Sequence, residues 1–188
     1  MRKILDALYR GSGALAAVFL LAICLIVLAQ VGANIASAAY KALTGEAIGL
    51  VIPSYAEFAG FFLAASTFLG LAYALNAGAH IRVSLVIQNF HGRTRQLIEL
   101  WCVLIGAAFS GYFAWYTVGL VMESYEFGDL STGMVPVPLW IAQVPMALGL
   151  IILTVAFIDS FFTLLAGRMP PYAHDEQDAA DEAVLHGE

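Results

Sequence analysis

The amino-acid sequence predicts an all-α integral membrane protein with four transmembrane helices and both termini in the cytoplasm. Three observations predict this class: an excess of apolar residues, four long apolar runs, and an uneven distribution of Lys and Arg. Of the 188 residues, 61% are hydrophobic and only 12% are charged. A soluble domain has roughly 45–50% apolar residues and about 25% charged ones, so one water-soluble core of this length cannot hold the excess. A bilayer can accept it.

Four segments are long and apolar enough to cross the hydrocarbon layer, which takes about 20 residues. They cover residues 11–39, 55–77, 97–122 and 139–166. Because the hydrocarbon offers no water to the backbone, these runs must close their hydrogen bonds internally as helices. The outer two exceed the ~30 Å layer, so they are expected to tilt or project. The first also exceeds the apolar region of a signal peptide, so we interpret it as a retained anchor.

The orientation follows from the positions of Lys and Arg in short flanking segments. The segment between the first two spans holds only Lys41, and the one between the last two holds acids instead. The other basic residues lie at the N-terminus, in the middle loop and after the last span: Arg2, Lys3, Arg10, Arg82, Arg93, Arg95 and Arg168. This distribution predicts that the N-terminus, middle loop and C-terminus are cytoplasmic.

The segments outside the spans divide the chain into a membrane domain, residues 1–169, and an acidic tail, 170–188, that we expect to be disordered. Residues 1–10 suit either a short interfacial helix or an extension of the first span. Residues 78–96 are too charged to span and too apolar for water, which predicts an interfacial arm. Its candidate contacts to lipid phosphates or acidic partners are His80, Arg82, Arg93 and Arg95.

Polar and small residues within the spans are candidates for helix packing. A polar residue inside a membrane span is first considered a candidate functional residue, because its burial there is costly. The simpler interpretation of these residues is that they form helix–helix contacts worth about 1 kcal/mol each. Gln30 and Asn34 are four residues apart and share a helix face. Pro145 is expected to kink the fourth span. The full set of candidates for subunit packing or polar contacts is Gln30, Asn34, Glu57, Gly60, Gln143 and Pro145.

Several function classes find no support in the sequence. It lacks nucleophile, phosphate-loop and zinc motifs, so neither catalysis nor a metal or other cofactor is expected. Cys24 and Cys102 lie alone in apolar runs, and no basic stripe indicates nucleic-acid binding.

One alternative is a membrane electron-transfer or assembly subunit that uses His80 and His91. Another is a small membrane enzyme whose polar cluster forms only in the folded protein.

Three features together resemble a known family. The first is the four-span plan with cytoplasmic termini. The second is the arm motif Gly78-x-His80-Ile81-x-Val83 with Arg93-x-Arg95. The third is Ser131…Val135-Pro136-x-Pro138-x-Trp140…Val144-Pro145, and Glu57 also fits. In this order they resemble the small membrane subunit of tripartite ATP-independent periplasmic (TRAP) transporters, the DctQ/SiaQ type, over the whole chain except the tail. Family members often carry an acid where Ser84 stands, so no charge pairing is inferred for the arm.

The resemblance implies a role in transport across the bacterial inner membrane. In that family a large multi-span membrane subunit carries solute with sodium ions, and a periplasmic solute-binding protein delivers the solute, typically a carboxylate. The small subunit packs against the large one and extends its scaffold among the membrane lipids. The resemblance therefore implies a scaffold subunit of a sodium symporter for organic acids.

Overall fold

The computed structural model describes residues 2–46, 48–77 and 93–166. Over these ranges the chain forms four helices: α1 (Arg2–Thr44), α2 (Tyr55–Asn76), α3 (Arg93–Phe127) and α4 (Leu139–Leu165). Each is long and apolar enough to cross a membrane. The predicted all-α membrane fold with four spanning helices is therefore confirmed.

The helix boundaries differ from the predicted spans mainly at α1 and α3. α1 begins at Arg2, so the first residues extend the first span and do not form a separate helix. Tyr9 is buried in the bundle core, which explains why this turn stays attached. α3 begins at Arg93, so the last four residues of the predicted arm are helical. The rest of the arm and the predicted tail lie outside the described residues.

The helices are arranged in an open row in the order α1, α2, α4, α3. α1 packs along α2, α2 along α4, and α4 along α3. α1 and α4 touch only slightly, and within the described ranges α1 and α3 make no substantial contact that would close the row into a ring. α2 and α4 are the central helices, and α1 and α3 form the two edges. Large apolar side chains remain exposed on all four helices, which leaves an extensive apolar surface for lipid or other proteins.

Glycines set the distance between neighbouring helices. A Cβ on Gly13 of α1 would lie 2.7 Å from the ring of Tyr73 in α2, and one on Gly106 of α3 would lie 2.7 Å from Phe157 in α4. Small residues let transmembrane helices approach closely, which replaces the hydrophobic driving force that lipid removes. These positions therefore hold the row together by close packing.

The row has two distinct ends. The loop end carries the connections 45–54 and 128–138, and the opposite end, called the terminal end here, carries the start of α1 and the end of α4. α1 continues well past the start of α2, because Ile52 lies beside Gln30 while α1 ends only at Thr44. At ~1.5 Å per residue this extension measures about 20 Å. α1 therefore extends past the start of α2 at the loop end, and the projection of a long outer helix from the membrane stays a prediction.

Candidate functional site at the loop end

The connection between α3 and α4 is a tight, hydrogen-bonded loop. The Ser131 N–H donates to the Val137 carbonyl at 2.8 Å, and the Val137 N–H donates back to Ser131 Oγ at 3.1 Å. The Leu139 N–H closes the base on the Asp129 carbonyl at 3.0 Å. Gly128 has a φ of +66°, a left-handed turn that glycine adopts without strain. The loop is therefore a preformed surface element.

Proline explains why this loop ends where it does. Pro136 and Pro138 carry no N–H and cannot donate a backbone hydrogen bond. The donors in this part of the loop are therefore the N–H groups of Val137 and Leu139. Pro138 directly precedes α4, where a missing N–H costs little because a helix start leaves its first donors unpaired. Tyr125 and Trp140 pack edge to face across the loop base, with ring centroids 5.6 Å apart. This arrangement gives the Ser131…Trp140 motif a structural role.

Ser54 joins the two loops at this end. It lies just before α2 with a φ of 57°, a left-handed conformation uncommon for a residue with a side chain. Its Oγ accepts a hydrogen bond from the Val135 N–H at 3.0 Å. Its carbonyl accepts from the Glu57 and Phe58 N–H groups. Ser54 thus ties the start of α2 to the α3–α4 loop.

An open cleft of about 430 Å³ lies between the two loops. Glu57 contributes to its wall, packed against Gly133, and its Oε2 is buried with no hydrogen-bond partner among the described residues. A carboxylate in the first turn of a helix is favoured by the helix dipole, which explains its position. The cleft is otherwise mainly apolar, and its lining residues are Val51, Ile52, Ser54, Tyr55, Ala56, Glu57, Thr132, Gly133 and Met134.

Gln30 fixes the other side of this region. It is buried, its Oε1 accepts from the Ile52 N–H at 2.9 Å, and its Nε2 donates to Asn34 Oδ1 at 3.1 Å. About two turns beyond Gln30 along α1, Ser37 is hydrogen-bonded to the Ile48 carbonyl. The Gln30–Asn34 pair, placed on one face by its spacing, therefore attaches the α1–α2 loop to α1.

The other packing candidates are dispersed. Gly60 lies on an exposed face of α2 with open space where a Cβ would be. Gln143 is partly buried in α4, and its Oε1 has no hydrogen-bond partner in the described part of the chain. Pro145 lies inside α4, and the helix continues through it to Leu165. The structure therefore brings Glu57 into the loop-end region with Gln30 and Asn34 beside it, but does not gather all six candidates.

The basic candidates of the arm fall elsewhere. His80 and Arg82 lie outside the described residues. Arg93 and Arg95 lie in the first turn of α3, at the terminal end, and only their backbone is described. Their proposed contacts with lipid or acidic groups remain predictions.

Sequence reasoning missed Ser54, although a signal was present. Ser54 and Glu57 have the Ser-x-x-Glu spacing of a helix capping box. The structure uses these residues differently, since Ser54 makes no side-chain cap and instead accepts from Val135. A local motif identified the residues, but only the neighbouring loop determines what they contact.

The side chains at this site are suited to binding another molecule. Within residues 2–46, 48–77 and 93–166, no three His, Cys, Asp or Glu side chains are grouped so that they could hold a metal ion. The loop end offers two loops joined by a hydrogen bond and a mainly apolar cleft whose lining includes one carboxylate, that of Glu57. Met134 and Leu130 are exposed there and enlarge the apolar surface. This combination suits a contact with another protein.

The fold and this site together define a multi-pass α-helical membrane protein with a structured loop face. Residues 48–167 match the family of tripartite ATP-independent periplasmic transporters, DctQ component, and the chain belongs to that family. It is similar to the C4-dicarboxylate TRAP transporter small permease protein DctQ of Rhodobacter capsulatus, with 23% identity over 113 residues. That match covers 60% of this chain and 49% of the relative, so it spans about half of the relative's length. No solved structure matches this chain.

Proposed function

We propose that this protein is the scaffold subunit of a sodium-coupled TRAP transporter in the bacterial inner membrane. It packs against a large transport subunit, which carries the solute and the sodium ions. A periplasmic binding protein delivers the solute, and the loop end lies on the periplasmic side. Family membership supports the role of a small transporter subunit, and the positive residues at the terminal end support the orientation.

The open row of helices is the observation that carries the scaffold role. A pathway for a polar solute needs polar groups around a shielded midplane site. Here Thr117 and Thr154, which lie within spans, donate their hydroxyls to carbonyls one turn earlier in their own helices. Ser66 donates to the Ala16 carbonyl of α1, so its hydroxyl joins two helices. These hydroxyls serve helix structure and packing, and the exposed apolar side chains of the row provide surface for a partner.

A carboxylate is the proposed class of solute. The relative in Rhodobacter capsulatus is named for C4-dicarboxylates, which supports an organic acid as the cargo. The solute site belongs to the large subunit and the binding protein in this proposal. Substitutions in the small subunit should therefore change assembly more than solute selectivity.

The test is uptake by reconstituted vesicles. This chain is co-expressed with a large membrane subunit of the same transporter family, purified through a tag on the small subunit, and placed in liposomes with the binding protein. We expect co-purification of the large subunit, and uptake of a C4-dicarboxylate only when all three proteins and an inward sodium gradient are present. Transport by this chain alone, or full transport by the large subunit without it, would overturn the proposal.

A further inference from the structure

The outward face of α3 carries exposed aromatic residues at one edge of the row. Val103, Ser110 and Thr117 are buried and recur every seven residues on the side that packs on α4. Tyr112 and Tyr116 lie on the opposite side and are 58% and 60% exposed. Trp115, beside them, is 80% exposed. Bulky aromatic side chains therefore form an outer surface that no described part of this chain covers.

The two tyrosines lie in the middle of the span. Tyr112 is midway between the ends of the apolar stretch Leu97–Phe127, and also close to midway between Glu99 and Glu123. At ~1.5 Å per residue, Tyr112 is about 22 Å from each end of that stretch. A tyrosine side chain is too short to reach the membrane surface from there. These residues therefore do not belong to the aromatic belts, which form at the two interfaces.

Their hydroxyl groups make this face a poor surface for lipid. The rings of Tyr112 and Tyr116 pack at 4.6 Å between centroids, and each ring carries a hydroxyl that can donate one hydrogen bond. When two hydroxyls share one hydrogen bond, one O–H donor still lacks an acceptor. Lipid tails provide none, and an unsatisfied polar group in hydrocarbon is costly. A protein surface with an oxygen acceptor would remove that cost.

The other edge of the row has the opposite character. The exposed residues along the middle of α1 include Leu21, Leu25 and Leu28, at 60%, 58% and 61% exposure. This aliphatic surface matches lipid tails and contains no group that needs a polar partner. The two edges therefore differ in the environment they suit, although the side chains named on both edges are more than half exposed.

We propose that the outward face of α3, centred on Tyr112, Trp115 and Tyr116, contacts a transmembrane helix of the large subunit. That helix presents a carbonyl or hydroxyl oxygen to the tyrosine pair near the middle of the membrane. Gly119, with open space where a Cβ would be, lies on the same face and leaves room for a side chain of that helix. The inference rests on the proposed function, because it assigns the helix through which this subunit is held.

Site-specific photo-crosslinking tests the assignment. A benzoylphenylalanine replaces Trp115 in one variant and Leu25 in a matched variant, both co-expressed with the large subunit. We expect a crosslinked product with the large subunit from position 115 and only lipid adducts from position 25. A product from position 25 alone, or a dimer of this chain from position 115, would overturn the assignment. Either result leaves the proposed function standing as long as the large subunit co-purifies.

A second pair of variants tests the hydroxyl groups. The double change Tyr112→Phe and Tyr116→Phe keeps the ring shapes and removes the O–H groups, and Leu25→Phe with Leu28→Phe is the control on α1. At a fixed, partly dissociating detergent concentration, we expect the tyrosine variant to retain roughly three- to tenfold less large subunit than wild type, in line with interhelical hydrogen bonds of about 1 kcal/mol. Equal retention would overturn the role of the hydroxyls. If the wild-type chain retains no large subunit, the proposed function itself fails.

Discussion

Gly149 of α4 lies directly against the main chain of Phe68 in α2, so the two central helices meet through their backbones. A Cβ on Gly149 would also lie 2.8 Å from the Leu69 nitrogen, a main-chain atom that cannot rotate away. The contact lies between the two central helices of the row. We therefore regard it as the point that fixes the spacing of the whole domain.

Replacing Gly149 should destabilise the purified protein. Gly149→Ala forces α2 and α4 apart, and overpacking of this kind costs about 1–3 kcal/mol. We expect a clearly lower midpoint in a thermal unfolding scan in detergent. The control is Gly32→Ala on α1, where a Cβ meets nothing within 4 Å. There the higher helix propensity of alanine should leave stability unchanged or slightly raised. Equal midpoints for the two variants would contradict this account of the α2–α4 contact.

The Gln30 side chain should control the order of the α1–α2 loop. Gln30→Leu removes the acceptor of the Ile52 N–H, and an unsatisfied buried donor costs about 1–3 kcal/mol. Hydrogen exchange measured by mass spectrometry should become faster in peptides covering residues 48–54. Asn34→Ala is the control, because exposed Asn34 contacts Gln30 and leaves the bond to Ile52 in place. Unchanged exchange in Gln30→Leu would show that the loop is held by other contacts.

The energetic contribution of the buried Tyr9 hydroxyl can be tested by substitution. Its side chain is 2% exposed in the core, and its hydroxyl has no hydrogen-bond partner among the described residues. Tyr9→Phe removes that group and keeps the packing, so the free energy of unfolding should be unchanged or higher. Tyr9→Ala should lose about 3–5 kcal/mol, because it leaves a cavity where α1, α2 and α4 meet. Marked destabilisation by Tyr9→Phe would indicate a partner for the hydroxyl.

The orientation can be measured by cysteine labelling in intact cells. In a background with Cys24→Ala and Cys102→Ala, a membrane-impermeant maleimide should label Thr132→Cys at the loop end. It should label Ala7→Cys at the terminal end only after the inner membrane is permeabilised. Both positions are exposed in the folded chain, so burial does not limit the reaction. The reverse pattern would place the loop end in the cytoplasm.

Some features of the loop end could be predicted from the chain and others could not. The four-residue spacing of Gln30 and Asn34 placed them on one face, and the structure shows them hydrogen-bonded. That Gln30 also accepts from Ile52 depends on α1 extending past α2. Ser54 and Glu57 likewise match a capping pattern, yet Ser54 contacts Val135, which is 81 residues away along the chain. Contacts of this kind depend on how separate segments meet.

The sequence by itself determined the four spanning helices, because the cost of an unpaired backbone in hydrocarbon leaves an apolar run of that length little choice but a helix. It also contained the motifs that indicate the transporter family. Only the tertiary structure decided that the helices lie in the open row α1, α2, α4, α3 and that the tyrosines of α3 face outward. Hydropathy is almost uniform around these helices, since lipid and protein interior are both apolar. The side that each helix buries is therefore decided by close contacts such as Gly149 against Phe68.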